Sequence, residues 1–244
     1  MKKLALHVLT ASKKSAYAAA SILCVGIFAH AVYAAENNSE ISLEYGQGNV
    51  DMPFAVNYSG KSTFQQEILG LNFQQNFAEN WFGQLLLRDI NSSADEYVAN
   101  GNLWRVKEHE QQEANIIFGR YFALPQGIAM NPVIYLSGGV RYTDFSATIA
   151  SISSSGIEDD YIVEDQKTGY IWQAGVQADL TARYQTQISP YFRRFEALNK
   201  TEQEWGLALN MHPVPAIKLG LAYENSPSHA SEAVLFELSA LFGN

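Results

Sequence analysis

The sequence predicts an all-β chain: a single antiparallel barrel crossing a membrane, of ten strands, with eight as the alternative count. Three observations point there. The final stretch alternates. Val234, Phe236, Leu238, Ala240 and Phe242 fall on one face, and Leu235, Glu237, Ser239 and Leu241 on the other, because side chains of a strand point to opposite faces with period two. Apolar residues make up 47% of the 244 residues, yet beyond the N-terminal segment no run reaches the roughly 18 apolar residues of a membrane-crossing helix. The apolar residues are instead spread through short alternating stretches with turn residues between, which is how a barrel wall reads.

The first 34 residues read as a targeting segment. Lys2, Lys3, Lys13 and Lys14 form a basic lead, residues 16–35 are apolar and small, and Val32-Tyr33-Ala34 has the form of a signal-peptidase site. The expected division is a signal peptide at 1–34 and a barrel domain at 35–244. Cys24 is the sole cysteine and lies inside the leader; Leu23 before it is too large for a lipoprotein site. Cleavage after Ala34 leaves a chain without cysteine, which excludes disulfides, thiol catalysis and Cys-based metal sites. It also takes away four lysines and no acid, so the net charge of −9 becomes −13. A chain this acidic is not a nucleic-acid binder, since phosphates must be met by cations.

The strands follow in order. The first covers 41–46, with Ile41, Leu43 and Tyr45 on one face and Ser42, Glu44 and Gly46 on the other. A loop at 49–61 carries Pro53 and Gly60, and the second strand covers 63–74. Residues 77–80 turn the chain into a third strand at 81–90. The long polar stretch 91–112 opens on Asn-Ser-Ser-Ala-Asp-Glu and reads as a loop. The fourth strand covers 113–122 and is broken by Leu-Pro-Gln-Gly at 124–127; the fifth covers 133–148. Residues 151–166, Ser-rich and then acidic, read as the next long loop. The sixth strand covers 169–180, with a tight turn at 181–184. The seventh, 187–195, contains Pro190, which a strand tolerates only at its start or at an irregularity. The eighth covers 202–211, followed by His-Pro-Val-Pro at 212–215; the ninth covers 216–224, and the closing strand comes after Asn-Ser-Pro-Ser at 225–228.

Aromatics on the apolar faces fall at strand ends. If both termini lie on one side, Tyr142, Tyr170, Trp172, Trp205 and Tyr223 gather at the outer rim, and Phe73, Trp81 and Phe242 at the inner rim. Interfacial girdles of a membrane barrel have this arrangement. From about Ser39 to Phe242 the chain thus resembles the small Gram-negative outer-membrane β-barrels. It departs from them in that Gly243 and Asn244 follow the last aromatic, and in short connections after the seventh and ninth strands. The resemblance implies that the last strand pairs with the first, that it carries the signal read by the barrel-assembly machinery, and that outer-membrane lipid and lipopolysaccharide surround the wall.

The opposite faces should line the lumen. They carry Glu44, Arg88, Arg141, Glu204, Lys218 and Glu237, with Tyr135, Ser137, Gln173, Gln177, Asp179 and Asn210 and several glycines. The expected polar cluster brings Lys218, Glu237 and Glu44 together. An interior filled by long side chains is favoured over an open conduit, because a barrel of about eight strands is just filled and ten is slightly wider; the glycines argue for room.

Some small outer-membrane barrels are hydrolases or acyltransferases with a site at the outer rim. Here His109 lies between Glu108 and Glu110, His212 in a turn, and His229 in the last outer loop, where it could meet Asp159 or Asp160 of another outer loop. No family's active-site motif is matched, and His109 has no second histidine at ligand spacing. The sequence therefore leads to no catalytic residue, no metal site and no cofactor; the expected role is a non-enzymatic surface, structural or narrow-pore protein.

Overall fold

The computed structural model describes residues 39–51, 63–77, 80–92, 95–99, 102–125, 130–152, 158–181, 185–196, 201–227 and 231–242. The leader with its cleavage point, His229 and the two residues after Phe242 lie outside them. The elements are β1 (Ser39–Asp51), β2 (Thr63–Phe77), β3 (Trp81–Ser92), β4 (Asp95–Ala99), β5 (Asn102–Ala123), β6 (Val133–Ile152), β7 (Glu158–Thr181), β8 (Thr186–Glu196), β9 (Thr201–Val214), β10 (Ile217–Ser226) and β11 (Ser231–Phe242).

Each strand pairs antiparallel with its neighbours, and β1 closes the ring on β11, from Ser39 opposite Phe242 to Asn49 opposite Glu232. Both β3 and β4 pair with β5, at Arg120–His109 and Val106–Asn102 respectively, so the two occupy one place in the wall. The result is a closed barrel of ten strands, not eight.

The stagger sets the width. Followed one way from Tyr45, through Leu69, Asp89, Gln112 and Asp144, the register reaches Gln166 on β7. Followed the other way, through Phe236, Leu221, Leu209 and Ile188, it reaches Ala178, 12 residues further along the same strand. With strands about 4.8 Å apart and about 3.3 Å per residue, that offset tilts them by about 40° and sets the backbone about 10 Å from the axis.

The alternation read from the sequence now has a direction. Leu43, Leu69, Phe236 and Leu238 point outward and are each more than half exposed. A continuous belt of that kind is foreign to a water-facing surface. Among the described residues no helix is long and apolar enough to cross a membrane; this chain would cross with strands.

Two expected loops are strands. The stretch 91–112 contains β4 and the first half of β5, and 151–166 contains the end of β6 and the start of β7. These segments rise beyond the apolar belt, where neither face of the sheet meets lipid and the hydrophobic alternation is weaker. Outward positions there are Glu108, Glu110 and Gln112. Arg105 and Lys107 of β5 reach over β6 to Glu158 (2.6 and 2.9 Å), and Lys107 also to Asp160 (2.7 Å); Ala150 of β6, opposite both Arg105 and Asp160, is small and leaves them room. The inner face of this extension holds Phe145, Ala147 and Ile149 with Trp104 and Val163 against them.

Two smaller differences have local causes. His212 was expected in a turn, but β9 runs on to Val214 and the turn is Pro215–Ala216. Pro190 lies inside β8, and the β7–β8 ladder is interrupted there, between Gly175–Tyr191 and Ala178–Ile188. A proline has no N–H to give to a ladder, and the gap accommodates that.

Candidate functional site

The inward faces make the site. On β8 the odd residues point in, and Tyr191, Arg193 and Phe195 lie one above another; on β9 and β10 the even residues do, including Glu204 and Glu224. On β3 the inward row includes Arg88, on β1 it holds Glu40 and Glu44.

Arg88 organises the middle of the lumen. Its Nη1 and Nη2 donate to Glu224 Oε2 and Oε1 at 2.8 and 2.9 Å, and its Nε to Glu44 Oε2 at 3.0 Å. Tyr191 Oη donates to Glu224 Oε1 at 2.6 Å. Arg193 donates to Glu204 at 2.8 Å and to Gln173 at 3.3 Å, and lies 3.8 Å from Glu224. Side chains from β1, β3, β8, β9 and β10 are thereby joined across the interior. Arg88 and Arg193 are both buried. Charge-assisted and bidentate bonds of this kind are the strong ones, and they hold only if every member is satisfied.

Towards the outer end, Arg141 pairs with Glu113 and lies 3.9 Å over the Phe195 ring, which packs with Ile117 and Ile171. Towards the inner end, Lys218 pairs with Glu40 and, at 3.2 Å, with Glu237. Between Lys218 and the Arg88 layer is a cavity of about 150 Å³, with Tyr121, Gln84 and Asn210 on its walls.

The expected cluster is therefore divided. Lys218 and Glu237 meet, but Glu44 turns to Arg88, and Lys218 takes Glu40 instead. Glu44 lies further along β1 than Glu40, level with the guanidinium that β3 sends inward. Glu204 is held by Arg193 and Arg141 by Glu113, neither of which was expected as a partner.

The inward glycines do not leave the lumen empty. A Cβ at Gly206 would overlap the Tyr191 ring, and one at Gly175 would overlap the Tyr135 ring. The two tyrosines lie flat against the wall in the space the glycines vacate, which is where the expected room has gone.

On the outer wall, Trp81, Tyr170, Trp172, Trp205, Tyr223 and Phe242 are exposed, and Tyr142 is half-buried. Trp172 and Trp205 both stack on Phe192, at 5.2 and 4.5 Å between centroids. Phe73 differs. It has the parity of the exposed Leu69 but is buried, and because β2 runs three residues further than expected, the exposed aromatic at its inner end is Phe77.

His109 is on the extension, with its ring 5.1 Å from Phe145 and its Nδ1 2.8 Å from Ser92 Oγ. Burial lowers its pKa from 6.5 to about 4. No group of three or more His, Cys, Asp or Glu able to hold a metal ion is found among the described residues.

A closed antiparallel cylinder with an apolar outer wall and a charged interior is a transmembrane β-barrel of the outer-membrane type. No family model and no curated protein matches the chain. Among solved structures it is similar to the translocator domain of the autotransporter NalP from Neisseria meningitidis, at 9% identity and a TM-score of 0.51, over 93% of this chain and 98% of that one. Also similar are the β domain of the Bordetella autotransporter BrkA (11%, TM-score 0.44, 84% and 99%) and Ail of Yersinia pestis (14%, TM-score 0.39, 85% and 100%). The likeness is one of fold.

Proposed function

We propose that the chain is a non-enzymatic integral protein of the bacterial outer membrane whose barrel is closed by its own side chains, with a surface or structural role. The single observation behind this reading is the Arg88 crossing: one guanidinium, buried, bonded to carboxylates of β1 and β10, with Tyr191 and Arg193 of β8 tied into the same group. A solute passing along the axis would have to part buried ion pairs, and breaking such a pair costs about 3–5 kcal/mol. The Phe145 cluster adds an apolar layer on the outer side. The narrow-pore alternative keeps a conduit beside Arg88. Fractionation of cells, heat-modifiable gel mobility and a liposome-swelling assay with small sugars test the reading together. Heat-modifiable protein in the outer-membrane fraction with no swelling supports it; swelling at the rate of an open porin overturns the closed lumen.

The enzymatic alternative would have to use the Ser92–His109 contact at the outer end, whose geometry is the reverse of a Ser-His-acid site. Nδ1, the nitrogen an acid would orient in a Ser-His-acid site, is the one turned to the serine. Hydrolysis of lipid or peptide substrates that disappears in Ser92→Ala would establish an enzyme; its absence from the wild type leaves the contact structural.

A further inference from the structure

Outside the ion-paired extension, two cations point outward from the described wall, one at each rim. Arg120 of β5 is at the inner rim. Its guanidinium lies 5.3 Å from the Trp81 ring centre and 5.4 Å from that of Phe122, so two aromatic faces meet its charge. Arg194 of β8 is at the outer rim. Its neighbours along the strand fix its direction: Arg193 and Phe195 are buried inside, while Phe192 faces out into the aromatic stack with Trp172 and Trp205. In register Arg194 stands between Trp172 of β7 and Gln203 of β9.

Unlike every other arginine described, Arg194 has no ion pair and no ring beneath it, and its Nε is sealed from solvent without an acceptor. A half-buried guanidinium with an unused donor, held at the height of an interfacial tryptophan pair, lacks an anion. Nε is covered, so the Nη–H donors on the open side of the guanidinium are the ones that reach the oxygens of a phosphate group, and a tryptophan at that depth marks the headgroup layer.

We propose that Arg194, framed by Trp172 and Trp205, binds the phosphate of a lipid in the outer leaflet, the acyl chains lying on the apolar wall below. This rests on the reading of the chain as an outer-membrane barrel. The lipid supplies both halves of the match, an oxyanion for the arginine and a chain for the wall, which free phosphate does not.

The test uses the full-length protein in a phosphate-free maltoside detergent, titrated with phosphatidic acid carrying brominated acyl chains. Tryptophan quenching reports binding. In Arg194→Gln the half-saturating concentration should rise at least about fivefold, and in Arg194→Lys, which keeps the charge but not the paired donors, by a smaller amount, while Arg120→Gln stays within about twofold of wild type. Inorganic phosphate in excess should not displace the lipid. Unchanged binding in Arg194→Gln overturns the proposal. So does an equal loss in Arg120→Gln, which would make the effect one of net charge, and so does full displacement by inorganic phosphate, which would make the site one for the free ion. Failure of the outer-membrane reading would show separately, as wild-type protein missing from the outer-membrane fraction.

Discussion

Arg88 and Glu224 hold each other with two hydrogen bonds, Nη1 to Oε2 at 2.8 Å and Nη2 to Oε1 at 2.9 Å, although β2, β1 and β11 stand between their strands in the wall. A pair that spans three intervening strands crosses the interior. Removing the cation alone leaves the Glu44 and Glu224 carboxylates buried together, so Arg88→Ala should lower stability by about 3–5 kcal/mol. Arg88→Leu with Glu224→Leu should cost less than the two single changes added, with a coupling of about 1–3 kcal/mol. Urea unfolding in lipid vesicles measures both. Additive losses would mean that the two side chains do not depend on each other.

Gly206 and Tyr191 form a second dependent pair, since a Cβ on the glycine would occupy the tyrosine's ring position. Gly206→Ala should push the ring off the wall, strain its 2.6 Å bond to Glu224 and cost about 1–3 kcal/mol, as overpacking does. In a Tyr191→Ala background the same substitution should cost almost nothing. The same unfolding assay decides it.

His109 should make the outer extension sensitive to acid. Its pKa is about 4 in the folded protein against 6.5 when free, because burial disfavours the imidazolium. Between those values the unfolded chain binds the proton and the folded chain does not, so stability falls as pH drops from 6.5 towards 4. The contribution is fully present above pH 6.5, and its loss reaches about 3 kcal/mol at the acid end. Hydrogen exchange of β5 and β6 amides at pH 7 and pH 4.5 should show faster opening at the lower pH in wild type, and much less change in His109→Gln. Equal acid sensitivity in the variant would locate the effect in other groups.

Trp81, Trp172 and Trp205 are exposed on the outer wall, whereas Trp104 is half-buried on the extension, 6.0 Å from Tyr161. In vesicles, single-tryptophan variants keeping any of the first three should be quenched by lipids brominated near the headgroup, and the variant keeping Trp104 should not. Equal quenching of all four would place the extension in the bilayer.

How far the fold could be read from the sequence depended on what each face of a strand meets. Between lipid and lumen, the contrast writes period two into the residues, and β9, β10 and β11 stand within a few residues of their expected limits. Above the belt the outer face meets water and the inner face mixes Trp104, Val106 and Val163 with polar residues such as Ser92 and His109, so β4 and the starts of β5 and β7 looked like loops. The site was legible as a set of inward charges but not as pairs. Glu224 had a signal, since it continues the inward row of Lys218, Gly220 and Ala222. Arg193 had one as well: of two adjacent arginines in a strand, one must face in, but Pro190 left that strand without an assigned face. Which carboxylate takes Arg88 depends on the stagger around the barrel, and no single strand contains that number.

The central claim is that side chains close the lumen at Arg88, and planar-bilayer conductance tests it most directly. Wild-type protein should show no steady conducting steps, and Arg88→Ser with Glu224→Ser, which removes the crossing from both walls, should show them. Steady conductance in the wild type, unchanged by the double substitution, would contradict the account.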